Sequence, residues 1–302
     1  MELLAGRCAL RDGGLDVSRE ELLHLAQGVD AIVADPTVGV DEALLEAAGP
    51  TLRVVANFAV GYDNVDLDAC RRRGVAVTNT PDVLTNATAE LALALALAAA
   101  RRMSEAEADL RGGRWQGWDP GAYLGLELSG TTFGVVGLGR IGRRFAELVS
   151  GFAGQILYVS RTRKEEAERE LGVRRVVLEE VFSGADVISL HLPASGETTG
   201  LVGQPELAKM KSEGILVNTS RGPLVDWRAL ARALRDGEIG AAGLDVYEHE
   251  PDVPTELLQA PRCVLLPHIG SATRRARDGM ARLVAENVLA VLGGSEPPNR
   301  IV

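Results

Sequence analysis

Residues 132 to 149 read TFGVVGLGRIGRRFAELV. The run Phe133–Val136 is apolar without polar alternation, as a strand buried on both faces should be. Gly137-Leu138-Gly139-Arg140-Ile141-Gly142 follows without a gap and opens a helix over Arg140–Val149. A GxGxxG pattern alone is weak in a chain with 34 glycines. Its place between a strand and a helix strengthens it. Gly137 permits the tight turn, Gly139 lets a pyrophosphate approach the backbone, and Gly142 lets the helix pack on the strand. The helix N-terminus then faces the phosphates. These six residues are expected to bind a dinucleotide; a plain glycine turn is the bland alternative.

The same grammar extends outward from this turn. Further strands are expected at Gln155–Val159, Asp186–Leu190, Gly214–Thr219, Ala241–Val246 and Cys263–Leu266, with helix patterns between them. One helix opens at Asp226 as N-cap, carries Trp227, Leu230 and Leu234 on one face, and stops at Gly237. Strand–helix alternation means a parallel, doubly wound sheet. A weaker α/β set lies before residue 80. Its strands are Ala31–Ala34, Leu52–Ala56 and Val75–Thr78, and Ser18 and Asp41 cap helices over Ser18–Gln27 and Asp41–Ala48. A long helix over Thr88–Met103 leads to the second domain. A last helix, Thr273–Leu292, is expected to fold back on the first. The domains expected are therefore 1–97 with 276–302, and 98–275.

The chain has 302 residues, room for about two domains. Lys plus Arg is 32 against 42 Asp plus Glu, a formal charge of −10. That balance argues against nucleic acid or an anionic membrane as a partner. Cys8, Cys70 and Cys263 show neither CxxC nor metal-ligand spacing, so a reducing, cytoplasmic setting and no metal are expected. The longest apolar run, Leu91–Ala100, has ten residues, about half a membrane span. The N-terminus does not read as a signal peptide. The helix from Ala87 to Arg102 has too little polar surface to stand exposed, which predicts a homodimer through it.

Ligands in such sheets sit beyond the strand C-terminal ends. After Gln155–Val159 come Ser160-Arg161-Thr162-Arg163-Lys164. An acid about 20 residues past the glycines would hold the ribose 2′-hydroxyl of NAD. Ser160 stands there instead, with three cations following. These residues read either as a solvated loop or as a 2′-phosphate pocket favouring NADP(H), with NAD(H) still possible. After Gly214–Thr219, Arg221 follows Thr219 and Ser220; it could grip a carboxylate bidentately or form a salt bridge. Asp245 and Glu250 follow the next strand, and His268 and Gly270 follow the last. A lone His is usually just packed, but His268 precedes a Gly-Ser turn and a helix cap.

These residues carry a resemblance. The matching stretches are Val60 to Asp66, Thr78-Asn79-Thr80-Pro81, VGLGRIG at 136–142, Thr219 to Gly222, Leu244-Asp245-Val246 with Glu250-Pro251, and Pro267 to Gly270. From about residue 20 onward the chain resembles the D-2-hydroxyacid dehydrogenases. Within them it is most similar to glyoxylate/hydroxypyruvate reductases, on Ser-Arg-Thr-Arg at 160–163, Pro81 to Thr85 with Ala87 to Glu90, and Trp118-Asp119-Pro120. The resemblance implies a Rossmann coenzyme domain and a smaller flavodoxin-like substrate domain. It implies Arg221, Glu250 and His268 as the catalytic set, and a small 2-oxo acid as substrate. Reduction needs a cation for the carboxylate, a proton donor for the carbonyl oxygen and a hydride from the cofactor. His268 as imidazolium can give the proton, and Glu250 paired with it would favour that charged form.

The resemblance further implies that amides of Val60 and Gly61 hold the carboxylate from the other domain. Asp245 orients the nicotinamide amide, and His191, Leu192 and Pro193 line the cofactor. It also implies a homodimer, with Trp118 reaching the partner's substrate pocket. His24 and His249 are read as surface residues. One departure stands out: family members begin with a strand and a helix before the segment matching Met1. Arg7–Leu10 is expected as a strand, and the first strand of the small domain is thereby put in question. Competing readings are D-3-phosphoglycerate dehydrogenase, D-lactate dehydrogenase and a non-catalytic cofactor-sensing interaction protein.

Overall fold

The computed structural model describes residues 3–14 and 17–302. The chain divides into two compact units, residues 1–84 with 271–302, and residues 85–270.

The smaller unit holds a parallel sheet of three strands in sequence order, β1 (Ala31–Ala34), β2 (Val54–Asn57) and β3 (Ala76–Thr78). Helices Arg19–Leu25 and Glu42–Ala48 start where Ser18 and Asp41 accept bonds from backbone amides of the first turn. Leu44, Leu45, Val55, Val77 and Cys70 form a buried core on one face of the sheet. On the other face helix Arg274–Leu292 packs Val284, Ala285 and Val288 against Val54 and Ala56. The segment Arg300–Val302 returns to β3: Ile301 donates to the Val77 carbonyl at 2.7 Å, and Val77 donates to that of Val302 at 3.1 Å. Arg7–Leu10 is not a strand. An isolated bridge, Ala5 with Cys8, forms there; Cys8 packs against the small sheet, but Arg7, Ala9 and Leu10 are exposed and make no ladder. Met1, on which the missing-strand expectation turns, lies outside the described residues.

The larger unit is the doubly wound domain that the sequence predicts. Its strands are β4 (Thr132–Val136), β5 (Gln155–Val159), β6 (Arg174–Arg175), β7 (Val187–Leu190), β8 (Ile215–Asn218), β9 (Ala241–Leu244) and β10 (Cys263–Leu265). They are all parallel, in the order β10-β9-β8-β7-β4-β5-β6. The order reverses between β4 and β7, so a crevice opens at their C-terminal ends. Side chains alternate between the two faces. Phe133 and Val135 pack on Phe145, Ala146 and Val149, whereas Val136, Ile188 and Leu190 meet Val181 and Phe182. Full burial of a Phe or Leu contributes about 1.5–3 kcal/mol, so both faces are strongly held. Among the described residues, no helix is long and apolar enough to cross a membrane.

Two expectations shift here. The long helix runs Thr85–Ala100, not Thr88–Met103, and a second helix follows at Met103–Arg111. Arg102 between them has φ of 51°, which breaks the helical path. The domain limit expected at 97/98 therefore falls inside a continuous helix. That helix buries Ala92, Leu95, Ala96 and Ala99 among Phe133, Phe145 and Val217, and so belongs with the larger unit. It is also less bare than its sequence suggests. Leu97 is its one exposed large apolar side chain among the described residues, at 39% exposure, and more follow the helix: Met103, Leu110, Trp115, Trp118 and Leu124.

Candidate active site

The glycine turn lies where β4 ends. Gly137 has φ of 100°, and a Cβ there would come within 2.5 Å of the His191 carbonyl oxygen. A Cβ on Gly142 would run into the carbonyl oxygen of Gly137. Neither position tolerates a side chain. Gly139, by contrast, has open space where its Cβ would be. That space lies at the N-terminus of helix Arg140–Val149, where bare amides and the helix dipole favour an anion. Leu138 is buried under the turn, while Gly139 and Arg140 are exposed. Thr219 Oγ1 is buried with no partner, a hydroxyl still to be satisfied. A dinucleotide fits this donor set.

His191 turns its ring inward. Nε2 lies 2.9 Å from Ser189 Oγ, the ring packs on Phe145, and Nδ1 is buried without a partner. Burial pushes its pKa down to about 3. What His191 gives the turn is its backbone. Leu192 packs into the core beside Gly137, and the Pro193 carbonyl accepts from Thr198 Oγ1 at 2.8 Å.

The loop after β5 is held from two sides. Arg175 Nη2 donates to the carbonyls of Ser160 and Arg161 at 3.0 and 3.2 Å. Arg163 pairs with Glu168 at 2.7 Å, and Glu168 also accepts from the Tyr158 hydroxyl at 2.7 Å. The bond from Arg163 leads the causes that hold the Glu168 carboxyl below its ordinary value. Ser160 is half-buried and Thr162 exposed. Among the described residues Arg161 and Lys164 form no ion pair. A cleft of about 240 Å³ lies between Leu138 and residues 163 to 167.

Beyond β8, β9 and β10 the candidate site is built from crossed turns. Asn218, buried at the end of β8, donates Nδ2 to the Arg221 carbonyl at 2.8 Å and accepts from the Ser220 amide at 3.0 Å. Ser220 Oγ donates to the Leu190 carbonyl at 2.7 Å. Arg221 Nη1 donates to the Ser220 carbonyl at 2.8 Å. Gly222 passes so close to Tyr247 that any side chain would meet its backbone.

Glu250 and His268 are paired, Oε2 to Nδ1 at 2.6 Å. The second Glu250 oxygen accepts from the Tyr247 amide at 2.9 Å. Burial raises the Glu250 pKa, but the bonds from His268 and Tyr247 outweigh it and leave the carboxyl below its ordinary value. With Nδ1 engaged, Nε2 is the His268 nitrogen that can serve a substrate. His268 has φ of 55°, a left-handed backbone that costs a side-chain residue about 1–3 kcal/mol. Asp245 holds it there. Its carbonyl accepts from the His268 amide at 2.9 Å, and its carboxylate accepts from the amides of Ile269 and Gly270 at 2.8 and 2.7 Å. Burial pushes the Asp245 pKa up, against the pull of those two amides. Its shown work is thus to shape the His268 turn, a role that sequence reasoning missed along with those of Asn218, Tyr158, Glu168 and Arg175.

In the small unit, Val60 and Gly61 form a half-buried turn after β2. Trp118, in the larger unit, is 84% exposed. His24 and His249 are exposed, as read. Among the described residues, no group of three or more His, Cys, Asp or Glu could hold a metal.

Residues 93–270 match the model of the D-isomer specific 2-hydroxyacid dehydrogenase, NAD binding domain. The chain belongs to that family. It is 50% identical over 287 residues to a glyoxylate reductase of Thermococcus litoralis, covering 94% of this chain and 86% of that one. Among solved structures, a protein from Thermus thermophilus superposes with a TM-score of 0.89 at 45% identity, over 96% of this chain and 91% of that one. The NADPH-dependent glyoxylate/hydroxypyruvate reductase of Sinorhizobium meliloti, solved with NADP and malonate, gives 0.84 at 37% identity, over 96% and 88%. As a 2-hydroxyacid dehydrogenase the chain takes a nicotinamide cofactor, and the matched segment is the unit that carries the glycine turn.

Proposed function

We propose that this dehydrogenase reduces glyoxylate and hydroxypyruvate to glycolate and D-glycerate, with NADPH preferred over NADH. The observation that carries the reaction is the Glu250–His268 pair at 2.6 Å. It lies past the ends of β9 and β10, next in the sheet to β8, which Arg221 follows. Substrate identity leans on the glyoxylate reductases it resembles. When bound, the reduced nicotinamide supplies the hydride to the carbonyl carbon. His268 Nε2 gives its proton to the carbonyl oxygen, and Glu250 stabilises the charged ring before transfer. Arg221 holds the carboxylate and polarises the carbonyl. Amides of Val60 and Gly61 hold the carboxylate as well. A cofactor-sensing interaction protein would not need this set aligned.

Cofactor choice rests on the loop after β5. Ser160 carries no charge to repel a 2′-phosphate. Of the two arginines expected to grip it, Arg163 is committed to Glu168, which leaves Arg161. A hydrogen bond to a charged group contributes about 1.5–3 kcal/mol, at the low end for an exposed one. The kcat/KM ratio of NADPH to NADH should therefore be about tenfold. Assays of both cofactors with a panel of 2-oxo acids, at one salt concentration, test both parts. A ratio at or below one sinks the cofactor assignment; no turnover of glyoxylate or hydroxypyruvate sinks the function. Ser160→Asp with Arg161→Ala should reverse the ratio.

A homodimer is the assembly this surface favours. Trp118, Leu124, Leu110 and Trp115 are each more than half exposed, clustered in sequence between residues 110 and 124. Such side chains rarely stay in water together. Light scattering at micromolar concentration should give twice the chain mass, and a monomer there would refute the assembly.

A further inference from the structure

The small unit carries a construction that the mechanism leaves unused. Asn57 is the last residue of β2, and Asn79 follows the last residue of β3. Both are buried, at 0% and 7% exposure. A side-chain amide buried without partners is costly, so both must be bonded. Asn57 Nδ2 donates to the Gly61 carbonyl at 2.7 Å, and Asn79 Nδ2 donates to the Val60 carbonyl at 2.8 Å. The backbone amide of Thr80 donates to the Ala59 carbonyl at 2.9 Å. Three consecutive carbonyls are thus pinned from the ends of two neighbouring strands.

We propose that Asn57 and Asn79 are positioning residues that aim the amides of Val60, Gly61 and Tyr62 at the substrate carboxylate. The proposal rests on the assignment of that turn to the carboxylate. Peptide geometry supplies the link. In a trans peptide the C=O and N–H point to opposite sides. Among the described residues the cis bond is Glu250–Pro251, so the peptides here are trans. The Ala59 carbonyl shares its peptide with the Val60 amide, the Val60 carbonyl with the Gly61 amide, and the Gly61 carbonyl with the Tyr62 amide. Fixing the three oxygens on buried donors turns the three N–H groups the other way. Among the described residues none of these amides donates to another backbone group. Successive amides facing one way form an anion-binding concavity.

The two asparagines are themselves locked. Asn57 exchanges bonds with Asn64 at 3.1 and 3.2 Å, and Asn64 donates to the Asp35 and Val38 carbonyls. The Asn79 amide donates to the Asn299 carbonyl at 3.3 Å, and its carbonyl accepts from buried Asn287 at 3.4 Å. An amide side chain is what the place demands. It brings a donor on a short stem, with no charge to oppose the substrate.

Asn57→Ala and Asn79→Ala are to be compared with wild type by calorimetry, using oxamate as an unreactive 2-oxo-acid mimic on the cofactor-saturated protein. Each should raise the oxamate dissociation constant and the glyoxylate KM about tenfold, as for loss of one well-aimed bond. kcat and the cofactor dissociation constant should stay within about twofold, and Asn79→Ser should recover part of the loss through its hydroxyl. Oxamate affinity unchanged in a folded variant overturns the proposal. So does a parallel loss of oxamate and cofactor affinity, which marks a general structural effect. Should the alanine variants not fold, amide exchange in wild type decides: oxamate should slow exchange at Gly61 and Tyr62, and unaltered exchange overturns the proposal. Wild-type protein that neither reduces glyoxylate nor binds oxamate overturns the functional assignment along with it. Turnover with normal oxamate affinity in the variants overturns the proposal alone.

Discussion

His268→Ala should lower kcat for glyoxylate about 10²–10⁴-fold, the range for losing a general acid, and leave cofactor affinity within about twofold. The expectation comes from where the ring is held. Glu250 occupies Nδ1 at 2.6 Å, and the Tyr247 amide fixes Glu250 in turn. The ring can neither rotate away nor present the wrong nitrogen without breaking the bond to Glu250. Asp245 fixes the backbone beneath it through three amides. An alanine inherits the same left-handed backbone at position 268 but gives up the bond to Glu250, so retained cofactor affinity serves as the control. The proton donor acts only as charge develops on the carbonyl oxygen, so the loss belongs in kcat rather than in binding. A variant that keeps more than half the wild-type kcat removes His268 from the mechanism.

Acid should weaken the fold through His191 in a way that a single substitution reveals. Burial depresses its pKa to about 3, against an ordinary value near 6.5. Above about pH 6.5 the ring is neutral both folded and unfolded, and its contribution is complete. Between about 6.5 and 3 the unfolded chain binds a proton that the native state refuses. Stability then falls by about 1.4 kcal/mol per pH unit, several kcal/mol across the window. Glu168 and the other carboxylates with lowered pKa act only further down, below their ordinary values. Urea titrations of wild type and His191→Gln at pH 7, 5.5 and 4.5 isolate the term. The wild type should lose the larger share of its stability between the first and last; parallel curves would show that the ring titrates normally.

Most of the large unit was legible because its strands are buried on both faces. A run such as Ile215–Asn218 has no exposed position to confuse it, and the glycine turn is local, set by spacing within six residues. β6 was not legible: Arg174 and Arg175 form an edge strand with both side chains in water. The helix break at Arg102 left no mark either, since a left-handed arginine looks like any other. At the site, strand ends pointed to Arg221, Glu250 and His268; Asn218 and Tyr247 lie three residues before Arg221 and Glu250, whereas Asp245 and Glu250 reach His268 from farther along the chain. Glu168 takes Arg163 out of play at a separation that no helical rule anticipates. Buried asparagines carry a signal of their own. Asn57 interrupts an apolar run, and Asn79 and Asn218 follow one closely, where a short amide is costly to bury unless it has backbone to hold.

The pairing of Arg300–Val302 with β3 also sets a schedule. Val77 and Ile301 are bonded to each other, yet 224 positions separate them along the chain, 301 − 77. Residues 85–270 are complete 31 positions before Ile301 is added, 301 − 270. A ribosome adding about 5–20 residues per second therefore releases the cofactor-binding half first. The three strands of the small sheet wait, with one face uncovered until helix Arg274–Leu292 emerges. The segment that carries the glycine turn is thus synthesised in full before the sheet that carries Val60 and Gly61 can be covered.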